Sequence, residues 1–350
     1  MATQTVFRLT SRNGPDGLQA FQEPVPTAAK YEVLVKIRSV SLNYRDIAIA
    51  NSTYPQAVKD KLIPCSDMAG EVVQVGDAVT GFSVGDGVIT PVSTSLLYGP
   101  VRAPTGKSYD SWGGLSDGML REYVAIPAHM AIKLPESSHS FTQWSCLPGT
   151  VSTVWNAFYG NKRLMPGDIV LLQGTGGVSL SGLIFAKAAG ATTIVTSSSD
   201  EKLAYVKSNF GADHTINYKT HPNWAAEVQR ITGGKGADHI LEVGGAGTMQ
   251  QSFNAVAYGG VITAIGFLSK LPEGAKTPDV SMSAVIKNCS VRGILGGSKQ
   301  QLEEAVRFMA SRDLPMPVDK TVGFTRDEIV AAMEYVAAGK HIGKVCINVD

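Results

Sequence analysis

The sequence predicts an α/β protein of two domains, one β-rich and barrel-like, the other a parallel sheet wound with helices. Three observations carry this. The chain has 350 residues, long for one domain and enough for two full cores. From Glu32 to about Pro135 it runs in short alternating segments broken by Gly, Pro and Asp. After Asp168 the texture changes to strand and helix in turn, the pattern of right-handed βαβ units.

Taken in order, EVLVKIRSV places Val33, Val35 and Ile37 on one strand face, and AGEVVQVG and VGDGVITP follow as further strands. PVSTSLLYGPVRAPTGKSYDSWGG, residues 91–114, has no period and is rich in Ser, Gly and Pro, so it reads as a long surface loop of the kind that often serves as a lid. DIVLLQG, VSLSGLIFAKAAG, TTIVTSS and DEKLAYVKSNFG then alternate strand with helix, and ADHILEVGG and GGVITAIGF add buried strands. KQQLEEAVRFMASRDL and TRDEIVAAMEYVAAGK read as amphipathic helices, the second with Asp327 and Glu328 near its start and Gly339 near its end. KVCINV closes the chain as a strand. No internal repeat or low-complexity tract is present.

Composition excludes several function classes. Lys+Arg 31 against Asp+Glu 30 leaves a net charge of +1, with no basic block of the kind that displaces counterions from nucleic acid. The N-terminus has no apolar h-region and the most apolar runs are strand-length, so a cytoplasmic protein with no membrane and no nucleic-acid partner is expected. Cys65, Cys146, Cys289 and Cys346 lie far apart with no C-x-x-C, which suits reduced thiols.

The strongest local motif is QGTGGVSLSG, residues 173–182, between a strand and a helix. Gly174 permits the tight turn, Gly176 and Gly177 let backbone N–H groups approach a pyrophosphate, and Thr175 and Val178 complete the loop. Ser179 stands at the third glycine position of G-x-G-x-x-G, small enough to keep helix and strand close. The next strand ends in Ser197, Ser198 and Ser199, with Lys202 beyond. Hydroxyls and a cation suit a 2′-phosphate, so the expected cofactor is NADP(H). Asp200 would be the ribose ligand if the strand ended later, and the same residues also suit a cap on the next helix.

VSLNYRDI at 40–47, the Tyr54-Pro55 pair, MAGEVVQVG, VGDGV, GGLSDGMLREYVAIP, GTGGVSL, ADHTINY and the closing GKHIGKV together resemble the medium-chain dehydrogenase/reductase superfamily, in its zinc-free, quinone oxidoreductase-like branch. The resemblance covers nearly the whole chain. It implies a GroES-like β-barrel catalytic domain over residues 1–133 and 298–350, and a Rossmann doubly wound parallel sheet over 134–297, with the active site in the cleft between them. It also implies a small-molecule substrate and a homodimer. Thr153, Tyr218, Val243, Gly244, Gly245, Ile265, Gly266, Phe267, Leu295 and Lys344 correspond to segments near the cofactor, and Asn43 to a residue near the nicotinamide ribose.

Zinc members of the superfamily resemble this chain with cysteine at Asn43, histidine at Ser66 and a further cysteine near Thr150. Asn, Ser and Thr are poor zinc donors, the 91–114 loop contains no cysteine, and the six histidines do not cluster in sequence, so no metal is expected. Without a Lewis acid, oxidation of an unactivated alcohol is difficult, whereas reduction of an alkene conjugated to a carbonyl needs only hydrogen-bond donors and a proton. The expected activity is therefore NADPH-dependent reduction of an activated C=C bond or a quinone. The alternatives are a metal-free NADP-linked alcohol or aldehyde oxidoreductase and a non-catalytic nucleotide-binding protein. Tyr54 and Asn43 are the catalytic candidates, Tyr54 as donor to the carbonyl or simply as a packing residue before Pro55.

Overall fold

In the computed structural model, residues 2–99, 110–271, 273–274 and 276–349 are described; much of the expected 91–114 loop thus lies outside the described residues. The chain divides into two compact units, 1–152 with 296–350, and 153–295. The boundaries that the resemblance implies are 133/134 and 297/298. Residues 134–152 go with the first unit because the helix Phe141–Ser145 packs on the strands Glu32–Ser41 and Asp67–Val75 of that unit. Trp144, Cys146 and Leu147 are buried there.

The first unit is built on a seven-stranded sheet. Its centre is Glu32–Ser41, paired antiparallel with Asp67–Val75, Tyr123–Pro127 and Lys344–Asn348. Val33, Val35 and Ile37 are fully buried, as their alternation requires, in one core with Val72, Val124, Ile126, Ile329 and Met333. The C-terminal strand is therefore part of the N-terminal sheet. Lys344 enters it two residues before Cys346, which faces Ser41.

The second unit carries six parallel strands in spatial order His214–Asn217, Thr192–Ser197, Ile169–Gln173, Ala237–Glu242, Val256–Ala264 and Ser290–Gly293. In order of sequence this is 3-2-1-4-5-6, the doubly wound arrangement whose ligands sit at the carboxyl ends of the strands. Ala237–Glu242 is buried at every position, as a strand covered on both faces must be.

Candidate functional site

Most residues of the second unit that the sequence links to a cofactor lie in turns just past strand ends or at the end of Thr192–Ser197; Gly177 and Val178 open the helix Gly177–Ala188, Thr153 and Lys202 lie on other helices, and Tyr218 follows the strand His214–Asn217. Gly174 follows Ile169–Gln173 with φ 79°, a left-handed conformation that glycine tolerates. Gly176 then caps the helix Gly177–Ala188 with extended backbone and no side-chain bond. That leaves the first N–H groups of a twelve-residue helix open to an anion, with the positive end of the helix dipole behind them.

Ser179 is buried and its Oγ donates to the Gln173 carbonyl at 2.6 Å. The close approach expected of a third glycine is found at Gly182 instead, where an added Cβ would stand 2.8 Å from Leu172 Cδ2 and 2.9 Å from Leu241 Cδ2.

Thr192–Ser197 ends where the sequence reading put it. Ser197 Oγ accepts from the Ser199 backbone N–H, and Ser199 Oγ caps the following helix, Asp200–Phe210, by accepting from the Lys202 N–H. The Asp200 carboxylate takes a 2.8 Å bond from Asn217 Nδ2 on the neighbouring strand. Ser197 and Ser199 thus both take part in the hydrogen bonding at the start of this helix. Ser198 is partly exposed, and Tyr218, held by its N–H to the Ser197 carbonyl, is exposed.

The turns 243–245 and 265–267 pack against each other. A Cβ on Gly266 would lie 2.3 Å from the Val243 carbonyl oxygen, and Gly245 is left-handed at φ 83°. Ile265 N–H donates to the Glu242 carbonyl at 2.8 Å and Ser269 N–H to the Gly244 carbonyl at 2.7 Å. Phe267 and Leu295 present exposed apolar side chains beside them, whereas Thr153 is buried.

Glu242 holds this edge together, and sequence reasoning missed it. Its carboxylate is fully buried and accepts from Gln173 Nε2 at 2.7 Å, from the backbone N–H of Gly244 and Gly245 at 2.9 Å each, and from the hydroxyls of Thr248 and Ser252. Gln173 immediately precedes the phosphate-type loop, so one carboxylate ties that loop to the 243–245 turn. The one signal is a Glu closing the buried strand Ala237–Glu242, where a carboxylate needs partners.

In the first unit, Asn43 precedes the helix Tyr44–Ala50, its backbone N–H donating to Asp46 Oδ2 at 2.8 Å. Lys344, with 3% of its surface exposed, donates from Nζ to the Leu42 carbonyl at 2.5 Å and to Asn43 Oδ1 at 2.6 Å. Ser66 Oγ donates to Asp67 Oδ1 at 2.6 Å, and Asp67 Oδ2 accepts from the Gly149 N–H at 2.8 Å. Thr150 Oγ1 donates to the Cys146 carbonyl. Burial pushes the Asp46 carboxyl up to about 6 and the Cys65 thiol well above its ordinary value.

The three positions at which the resemblance implies zinc ligands in other members thus hold hydrogen-bonded neutral groups. Asn43 turns its only good acceptor to an ammonium, and Ser66 and Thr150 spend their hydroxyl protons on neighbouring oxygens. A zinc ion needs convergent thiolate, imidazole or carboxylate lone pairs, and a buried lysine cation in the same cluster opposes it electrostatically. Among the described residues no group of three or more His, Cys, Asp or Glu is arranged to hold a metal. These residues do not fit zinc.

Tyr54 is half-buried against the first core, with the Arg45 guanidinium 5.4 Å from its ring centroid. Arg45 is held in turn by the Trp112 carbonyl at 2.9 Å and Ser111 Oγ at 2.8 Å. The ring is therefore fixed on one side by a cation–π contact, while its hydroxyl has no partner among the described residues.

Residues 29–136 match the alcohol dehydrogenase GroES-like domain family, and residues 177–311 the zinc-binding dehydrogenase family. The chain is 39% identical to a zinc-type alcohol dehydrogenase-like protein of Schizosaccharomyces pombe, over 91% of each chain. It is 27% identical to a quinone oxidoreductase-like protein 2 homolog of Nematostella vectensis, over 91% of this chain and 81% of that one. A solved Sinorhizobium meliloti 1021 protein, provisionally called an alcohol dehydrogenase, superposes with a TM-score of 0.89 at 36% identity, covering 99% of this chain and all (100%) of that one.

Proposed function

The chain belongs to the medium-chain dehydrogenase/reductase superfamily, with a GroES-like domain and a Rossmann-type parallel sheet, and from that premise we propose that it is an NADPH-dependent reductase of a carbonyl-conjugated C=C bond or a quinone, working without metal. The observation that carries this reading is the Lys344–Asn43 bond at the locus of the zinc ligands. It offers hydrogen-bond donors and positive charge, which suit an enolate forming during reduction, while an amide bonded to an ammonium is a poor ligand for the cation that would acidify an alcohol.

Bound NADPH would supply the hydride, which goes to the carbon β to the carbonyl. The uncapped N–H groups of Gly177–Ala188 and the Gly174–Val178 turn suit its pyrophosphate. Ser197, Ser198 and Lys202 suit the 2′-phosphate, and the occupied carboxylate of Asp200 favours this assignment over a ribose contact. The 243–245 and 265–267 turns, with Leu295, would flank the nicotinamide. Asn43 and Tyr54 keep the proton chemistry: an amide N–H and a phenol O–H can each donate to the developing enolate oxygen, and the phenol can deliver a proton.

A homodimer goes with this reading. The strand Ser290–Gly293 is an open edge of the parallel sheet, and the adjoining helix Val280–Lys287 has no buried residue, with Met282, Val285 and Ile286 all exposed. A second copy could continue the sheet and cover that face. A cytoplasmic setting also goes with it, since NADPH is regenerated there and the chain's cysteines are unbridged.

The test is NADPH consumption over a panel of enones, quinones and aldehydes, with alcohols tried in the presence of NADP⁺. Turnover confined to enones or quinones is expected. Faster turnover of alcohols or aldehydes, which the names of its relatives favour, would replace the reading; cofactor binding with no turnover at all would point to a non-catalytic role.

A further inference from the structure

We propose that Lys344 is a positioning residue whose buried ammonium fixes the side-chain amide of Asn43 with its oxygen turned inward, leaving the Nδ2–H pair as the donor offered to the substrate oxygen. This deepens the reductase reading above and rests on it.

An asparagine amide has an acceptor end and a donor end of nearly equal shape, and only its neighbours decide which way it points. Lys344 Nζ can only donate, and it lies 2.6 Å from Asn43 Oδ1. The flipped amide would set two donors against each other. Lys344 cannot move aside, because its Nζ also donates to the Leu42 carbonyl at 2.5 Å and the Leu42 N–H is bonded to the Val345 carbonyl at 2.9 Å. At the backbone, Asn43 N–H is held by Asp46 Oδ2. The residue is thus fixed at its N–H and its Oδ1, while its Nδ2 has no partner among the described residues.

Gly149 packs closely against this amide: a Cβ at position 149 would stand 3.0 Å from Asn43 Nδ2 and 2.7 Å from Asp67 Oδ2, so any side chain there would press on the amide and on the aspartate. A cation bonded to the amide oxygen also draws electron density from the amide nitrogen, which makes its N–H a stronger donor. In effect the lysine's charge would reach the reacting oxygen through a neutral amide. A buried ammonium is costly unless it is well bonded, and a structural core position would be filled more cheaply by an apolar residue.

The experiment compares Lys344→Met, Asn43→Ala, the double variant and Asn43→Asp. Asn43→Asp keeps an acceptor for the ammonium, so it should fold even where Lys344→Met does not, yet it has no N–H to donate. We expect Lys344→Met, Asn43→Ala and Asn43→Asp each to lower kcat by about 10²-fold on the best panel substrate, with the double variant no slower than the singles. NADPH affinity, read by fluorescence titration, should stay within about twofold. With selective ¹⁵N-asparagine labelling, the side-chain NH₂ signal that disappears in Asn43→Ala should shift and broaden in Lys344→Met. Weaker NADPH binding at unchanged kcat in Lys344→Met would make Lys344 a cofactor ligand and overturn the proposal. So would full activity in Asn43→Asp, additive losses in the double variant, or an Asn43 signal unmoved by Lys344→Met. If the wild type reduces nothing in the panel, the reductase reading fails by itself, and the NMR arm still decides whether Lys344 orients Asn43.

Discussion

The carboxyl edge of the parallel sheet and the polar cluster around Asn43 are built in opposite ways. On the sheet edge the groups proposed to meet the cofactor are mostly backbone: an uncapped helix start, a left-handed Gly174, and two turns locked by Gly245 and Gly266. Around Asn43 they are side chains drawn from distant positions, with Lys344 bonding a residue 301 positions earlier and Gly149 an aspartate 82 positions earlier. Backbone sites are written in local sequence because only glycine permits the geometry. Side-chain sites depend on which strands the fold makes neighbours.

The comparison predicts that single side chains matter most in the second region, and four measurements sharpen it. The largest effect is expected for Tyr54→Phe, which keeps the ring under Arg45 and removes only the hydroxyl. Turnover should fall about 10²- to 10⁴-fold with NADPH affinity unchanged. Full activity of this variant on the best substrate would reduce Tyr54 to a packing residue.

Glu242→Ala is the counter-case, a side chain that ties the turns of the sheet edge together. Removing it strands the Ser252 hydroxyl and the Gly245 N–H, each buried donor left unpaired costing about 1 to 3 kcal/mol, and leaves Gln173 Nε2, the Gly244 N–H and the Thr248 hydroxyl with one remaining acceptor each. Chemical denaturation should show a loss of several kcal/mol, and Glu242→Gln should recover part of it. A variant as stable as the wild type would mean that the turns hold themselves.

Lys202→Ala should weaken NADPH by about 1.5 to 3 kcal/mol, roughly ten- to more than a hundredfold, and leave NADH nearly untouched. Equal losses for the two cofactors, in parallel titrations, would remove the 2′-phosphate assignment and return attention to Asp200.

The smallest effect concerns Asp46, whose carboxyl is raised by burial to about 6. A raised acid binds its proton more tightly folded than unfolded, so its contribution to stability is greatest below about pH 4 and declines as pH rises to about 6. The slope from one such group is at most about 1.4 kcal/mol per pH unit. Denaturation curves of wild type and Asp46→Asn between pH 4 and 7 should therefore diverge, the wild type gaining relative to the variant as pH falls. Parallel curves would show that Asp46 keeps an ordinary carboxyl.

The sequence showed the alternation of Glu32–Ser41, the strand–helix order after Asp168, the glycine turn at 174–177 and the end of Thr192–Ser197, because each is fixed by residues within about ten positions of one another. It did not show the short helices Tyr44–Ala50, Phe141–Ser145, Trp224–Ile231 and Val280–Lys287, although Asn43, Ser140, Asn223 and Asp279 stand before them. Elements of five to eight residues carry too few turns for an apolar stripe to rise above chance.

Sequence alone also determined what the site lacks: cysteine at 43 and histidine at 66 are absent whatever the chain's path. The tertiary structure decided what stands there instead. The strand Lys344–Asn348 pairs with Glu32–Ser41 across almost the whole chain, and that register sets an ammonium against the Asn43 amide. Likewise Ser179 had the size of a packing residue, but only the packed sheet put the close contact at Gly182. Residue identity fixes which chemistry is available, and the long-range pairing of strands, which no local pattern encodes, fixes which groups meet to perform it.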